Sequence, residues 1–138
     1  MKKAVCLVLP QDGKFLAISR RNDFTHWGIP GGKVDPFETN AQACKREVQE
    51  ELGLTIELID LEPLWVGFCP EKLAPPVDYW VTSYLHVPKA PIDLDKLVPE
   101  LGFRLQWMTR DELENPALSP FADYNVNVFK AYDIYANR

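Results

Sequence analysis

The chain has 138 residues, of which 46% are hydrophobic, 12% aromatic and 25% charged. That composition excludes a disordered or fibrous chain, and the length suits one domain with a proper core, residues 1–138, with no room for a second. A formal net charge of -5 and a pI of about 5.0 argue against a general nucleic-acid or anionic-membrane binder, which depends on a positive field. A polyanionic substrate would need a bridging cation.

The N-terminal run KAVCLVL, residues 3–9, is apolar and β-rich, and the turn residues Pro10-Gln11-Asp12-Gly13 separate it from a second such run, KFLAISR, at 14–20. This predicts a β-hairpin. The first run is too short for a signal peptide, and no stretch approaches the roughly 20 apolar residues of a membrane span, so a cytoplasmic protein is expected. Cys6, Cys44 and Cys69 are odd in number and fit no zinc spacing, which reads as reduced, buried thiols. Arg21 to Phe37 is broken by glycines and prolines and reads as a loop.

A helix follows, with Thr39 as N-cap, Gln42 completing a capping box and Gly53 as a left-handed C-cap. Residues 55–60, 64–69, 79–86 and 103–108 read as strands, Thr109 as the N-cap of a helical turn, and about 120–135 as a last helix. Strands and helices mix without regular alternation. The expected class is α+β, with a central mixed sheet between helices.

The first helix poses a problem of charge. At 100° per residue from Ala41, Ala41, Cys44, Val48 and Leu52 form an apolar stripe between roughly 300° and 20°, and Glu47, Glu50 and Glu51 fall at roughly 240°, 180° and 280°. These carboxylates repel each other by about 0.2–0.5 kcal/mol per pair, with only Arg46 placed on the helix to relieve them. Glu51 borders the stripe, where a carboxylate needs a cation or donor. Clustered carboxylates are hard oxygen ligands of the kind that Mg²⁺ or Mn²⁺ takes alongside phosphates.

Gly32, then five residues, Glu38, then seven residues, and REVQEELGL at 46–54 match the pattern GX5EX7REUXEEXGU, with U aliphatic, at every specified position. Residues 32–54 therefore resemble the Nudix box, and the chain is identified as a member of the Nudix family. WGIPGGKV at 27–34 resembles the lead-in of MutT-type nucleoside triphosphate pyrophosphatases. Phe37 departs from the glycine that many members carry before the glutamate.

The resemblance implies a Nudix-like α/β/α sandwich and a Mg²⁺-dependent hydrolase, with Mn²⁺ as a possible substitute. The expected reaction cleaves a nucleoside triphosphate, ordinary or oxidised or otherwise noncanonical, to the monophosphate and pyrophosphate. It implies Glu47, Glu50 and Glu51 as metal ligands, the Gly31 carbonyl as a further one and Glu100 as an auxiliary one. Glu47 is the first choice of general base, and Arg46 the arginine that orients a catalytic glutamate. Arg21 and Lys33 are implied to contact phosphate, and Asp123 or Asn125 to read the base. Pro70, 16 residues after Leu54, also resembles an ADP-ribose pyrophosphatase signature with Glu71 as a loop-borne base. ADP-ribose, nucleotide sugars and dinucleoside polyphosphates stay open as substrates, as does a nucleotide-binding sensor without catalysis. The expected partner is a small nucleotide, with neither nucleic acid nor membrane.

Overall fold

The computed structural model describes residues 2–70 and 78–137. Among the described residues, eight strands run β1 (Lys2–Val8), β2 (Pro10–Gln11), β3 (Lys14–Arg20), β4 (Asp23–Gly28), β5 (Gly31–Lys33), β6 (Glu62–Pro70), β7 (Asp78–Leu85) and β8 (Leu105–Met108). The helices are α1 (Asn40–Leu52), α2 (Arg110–Leu113) and α3 (Ala122–Ala136). Among the described residues, no helix is long and apolar enough to cross a membrane.

The strands divide into two sheets. One is mixed, in the order β5-β1-β7-β6, with β1 and β7 parallel and the other pairs antiparallel. The other is antiparallel, with β3 at its centre flanked by β2, β4 and β8. Along β1, Val5 and Leu7 pack into a core with Ala43, Cys44, Val48 and Leu52 of α1. Cys6 and Val8 face the opposite core, with Tyr124, Val128 and Phe129 of α3. The mixed sheet thus lies between α1 and α3, in the expected α+β class.

The predicted hairpin forms only at its tip. Asp12 and Gly13 take the left-handed turn, with φ of 52° and 78°, but β3 pairs with the two residues of β2 and not with β1. β1 runs parallel to β7 from Lys2 opposite Tyr79 to Val8 opposite Leu85. The reason is burial: Val5 to Val8 are buried on both faces, as an interior strand requires, and a two-stranded ribbon cannot cover both.

The predicted loop 21–37 contains β4 and β5. Its glycines disguise strands, because here glycine marks close backbone approach and not a turn. The predicted strand 55–60 is instead an irregular stretch ending in a 3₁₀ turn at Leu58–Asp60, closed by the Asp60 N–H to Glu57 O at 2.9 Å. Only Ile56 in it is buried, and Ile59 is 92% exposed, so no sheet face claims it.

α1 begins and ends as its caps demand. The Thr39 hydroxyl accepts from the Gln42 N–H at 3.1 Å, the Gln42 side chain accepts from the Thr39 N–H at 2.9 Å, and Gly53 has φ of 68°. This fixes the helix's rotation, so that Glu51 is buried beside Val48 and Leu52. Cys6, Cys44 and Cys69 are buried, and none is in a disulfide among the described residues.

Candidate active site

The site is built where α1 crosses β5. Gly31 faces Cys6 of β1 so closely that a Cβ on it would lie 2.1 Å from the Val5 carbonyl oxygen. A Cβ on Gly32 would lie 2.3 Å from the Glu47 carboxyl carbon, so its absence lets that carboxylate rest on the backbone. The glycine pair therefore brings two strands and one helix within contact.

Arg46 gathers the acids around it. Its Nε donates to Glu38 Oε2 at 2.9 Å, Nη2 to Glu38 Oε1 at 2.8 Å, and Nη1 to Glu47 Oε1 at 2.9 Å and Glu50 Oε2 at 3.3 Å. Nη2 also donates to the Lys33 carbonyl at 3.0 Å and lies 3.3 Å from Asp35. One guanidinium thereby fixes the loop before α1 to two of the box glutamates, which explains how the repulsion on this helix is relieved. Arg46 itself is held charged well above its ordinary range by Glu38 and Glu47.

Glu38 is held down to about 2 by its hydrogen bonds from Arg46, against an ordinary 4.5. A lowered carboxyl contributes stability above its unfolded value and loses it as pH falls through the folded one. Glu38→Gln should therefore cost about 1–2 kcal/mol at pH 7. In urea melts the gap between variant and wild type should narrow below pH 4.5 and close near pH 2. A pH-independent gap would mean that the pair contributes packing alone.

Glu51 is 9% exposed and accepts the Gly31 N–H at 2.9 Å. Burial first, and then the charge of Glu47, push its carboxyl up to about 8, with smaller contributions from Glu100 and Glu50. Glu47 is also raised by burial, against the opposing pull of Arg46. Unlike Glu47 and Glu50, Glu51 has no cationic partner among the described residues. A buried carboxylate next to another is a donor set suited to a hard divalent cation. Among the described residues no three acidic, His or Cys side chains already converge on one point, so a metal here would take further oxygens from backbone, water or substrate.

A cavity of about 400 Å³ opens beside Glu51 and runs between the two sheets. Val5, Ile18, Gly31, Phe121, Tyr124 and Asn125 are among its walls. Lys33 lines it, its Nζ 6.0 Å from the Tyr79 ring centroid. Asn125 is 1% exposed, and its Nδ2 donates to the Leu113 carbonyl at 2.9 Å and to Ser119 Oγ at 3.4 Å.

Other candidates lie apart. Asp123 lines a separate pocket of about 110 Å³ with Phe68 and Asn127, because two residues along a helix is a rotation of about 200° from Asn125. Arg21 is exposed over the Phe103 ring, 3.8 Å from Glu100, and the cavity is lined by its neighbour Arg20. A register shift between Ser19 and Arg20 makes that exchange, and nothing in the residue pattern announces it. Trp27 and Trp107 pack into the two cores. Pro70 closes β6 opposite Asp78, and Glu71 lies outside the described residues.

The family model for the NUDIX domain matches residues 1–129. The chain belongs to the Nudix family. An RNA pyrophosphohydrolase of a Nitratiruptor species is 35% identical over 101 residues, 67% of this chain and 65% of that protein. Nucleoside triphosphatase NudI of Escherichia coli (strain K12) is 35% identical over 63 residues, 43% of this chain and 45% of that one. The chain thus spans under two thirds of these relatives' lengths. A MutT NUDIX hydrolase from Burkholderia pseudomallei shares the fold, with a TM-score of 0.65, 26% identity and coverage of 90% and 94% of the two chains. Members of the Nudix family use divalent metal ions.

Proposed function

We propose that this Nudix chain is a Mg²⁺-dependent hydrolase, with Mn²⁺ as a substitute, that cleaves a nucleoside triphosphate to the monophosphate and pyrophosphate. Ordinary, oxidised and other noncanonical bases all fall within this class. The observation that carries it is Glu51, a buried carboxylate with no cationic partner among the described residues, which lines a nucleotide-sized cavity. A relative that is named a nucleoside triphosphatase supports the substrate class.

Glu47, Glu50, Glu51 and the Gly31 carbonyl would hold the ion, with Glu100 near enough for its charge to be felt at Glu51. When bound, the ion neutralises phosphate charge and acidifies water. The protein's own part is positional. Arg46 holds Glu47 Oε1, leaving Oε2 to take a proton from water as general base. Gly31 N–H keeps Glu51 in one orientation, and Lys33 at the cavity wall is placed to meet a phosphate. The mostly apolar walls bury the base, with Asn125 as a polar residue among them.

The test is a panel of ordinary and oxidised nucleoside triphosphates, ADP-ribose, nucleotide sugars, dinucleoside polyphosphates and 5′-triphosphorylated oligonucleotides, with products separated by chromatography. A triphosphate should give the highest kcat/KM and yield monophosphate and pyrophosphate. Faster cleavage of a diphosphate-linked substrate would replace this reading, and binding without turnover of any would make the chain a sensor.

A further inference from the structure

Residues 98–104 link the acidic end of the site to the antiparallel sheet. At one end the Val98 N–H donates to the Leu52 carbonyl at 3.1 Å, one residue beyond Glu51, and a Cβ on Gly53 would lie 3.2 Å from the same nitrogen. At the other end the Ser19 N–H, near the close of β3, donates to the Arg104 carbonyl at 2.9 Å. Glu100 lies between these anchors, and its charge is felt at Glu51.

A turn presents that glutamate. The Phe103 N–H donates to the Glu100 carbonyl at 3.1 Å, and Gly102 takes φ of 92°, which favours glycine. The turn rests on the β3–β4 connection. There the Asn22 N–H donates to the Gly102 carbonyl at 2.8 Å, and a Cβ on Gly102 would lie 2.9 Å from the Asn22 Oδ1. Arg21 meets the turn at three places. Its Cγ would lie 3.4 Å from that same Cβ, its Cζ lies 4.9 Å from the Phe103 ring centroid, and its Nη2 lies 3.8 Å from Glu100 Oε2. Phe103 itself lines the cavity.

The pairing with Glu100 differs from those that Arg46 makes. Arg46 hydrogen-bonds its carboxylates at 2.8 to 3.3 Å. A separation of 3.8 Å is too long for a hydrogen bond, so Arg21 steers the Glu100 carboxylate without occupying its lone pairs. An exposed ion pair alone contributes little, but stacking on Phe103 fixes the guanidinium beforehand and lowers the loss of side-chain freedom. We infer that Arg21 is a positioning residue for Glu100: it holds the turn 100–103 so that this carboxylate stays near Glu51 as a further oxygen donor to the divalent ion. The ion is that of the function proposed above, on which this role rests. Arg21 is thereby set on Glu100, and not on a substrate phosphate as its place in the sequence implies.

The first readout needs no metal. In EDTA, amide hydrogen exchange at Phe103 should be about fivefold faster in Arg21→Ala than in wild type, and Arg21→Lys should recover part of that loss. Mn²⁺ titration followed by electron paramagnetic resonance then reads the acidic site without turnover. Arg21→Ala and Glu100→Gln should each weaken Mn²⁺ binding about fivefold, and the double variant should lose little more than either single one. Unchanged exchange, or losses that multiply in the double variant, would overturn the assignment. So would wild-type Mn²⁺ affinity in Arg21→Ala together with a raised KM for triphosphate, which would place the arginine on phosphate. Glu51→Gln distinguishes the two failures. Undiminished Mn²⁺ binding in that variant counts against the metal site proposed above, whereas weakened binding there with no coupling between Arg21 and Glu100 counts against the role of Arg21 alone.

Discussion

Glu51→Gln protein is expected to hydrolyse nucleoside triphosphate roughly 10³-fold more slowly than wild type, a loss of about 4 kcal/mol of transition-state stabilisation. The substitution is nearly isosteric, and the amide oxygen can still accept the Gly31 N–H, so the backbone of β5 stays where it is. What goes is a negative charge in a place where burial and Glu47 already oppose it. On the proposed reading, a bound cation is what offsets that charge. Two readings separate this from simple unfolding. Metal-free Glu51→Gln should be at least as stable as wild type at pH 8, because a buried charge has been removed. Mn²⁺ titrations by electron paramagnetic resonance should show weakened binding. Wild-type turnover in the variant would place the metal elsewhere.

Gly31→Ala should be the most destabilising single methyl addition in the chain, costing about 3 kcal/mol. The new Cβ would meet the Val5 oxygen at 2.1 Å and the Cys6 Cα at 2.8 Å, both backbone atoms of β1. β1 cannot retreat, because β7 pairs with it along its other edge from Lys2 to Val8. Gly13→Ala is the control: nothing lies within 4 Å of its added Cβ, and only its φ of 78° opposes the change, at about 1 kcal/mol. Urea melts of the two variants should differ by about 2 kcal/mol. Equal losses would mean that the β1–β5 approach is looser than the geometry shows.

The parts of this fold governed by local chemistry were legible in the residues. The caps of α1 are side chains bonding to their own helix end, and Thr39, Gln42 and Gly53 all do what their identities imply. The same holds for Glu51, whose place beside the apolar stripe foretells its burial. What was not legible depends on partners distant in sequence. β1 and β7 pair across more than 70 residues, so a nearby turn suggested the wrong neighbour for β1. Gly28, Gly31 and Gly32 read as loop residues because the backbone that crowds Gly31 and the Glu47 carboxylate on Gly32 come from other elements. In the site, the register shift between Ser19 and Arg20 decides whether Arg20 or Arg21 reaches the cavity, and helical rotation parts Asp123 from Asn125. Phe37, at the position where many members have glycine, takes φ of 67° and is fully exposed, so the loop keeps the left-handed turn despite the side chain.

The most direct test of the central claim is turnover of a nucleoside triphosphate as Mg²⁺ is titrated from an EDTA-stripped start, with every product quantified. The account predicts no turnover without metal, then monophosphate and pyrophosphate in equal amounts, with the rate about 10³-fold lower in Glu51→Gln. Metal-independent hydrolysis, or stepwise release of single phosphates, would contradict it.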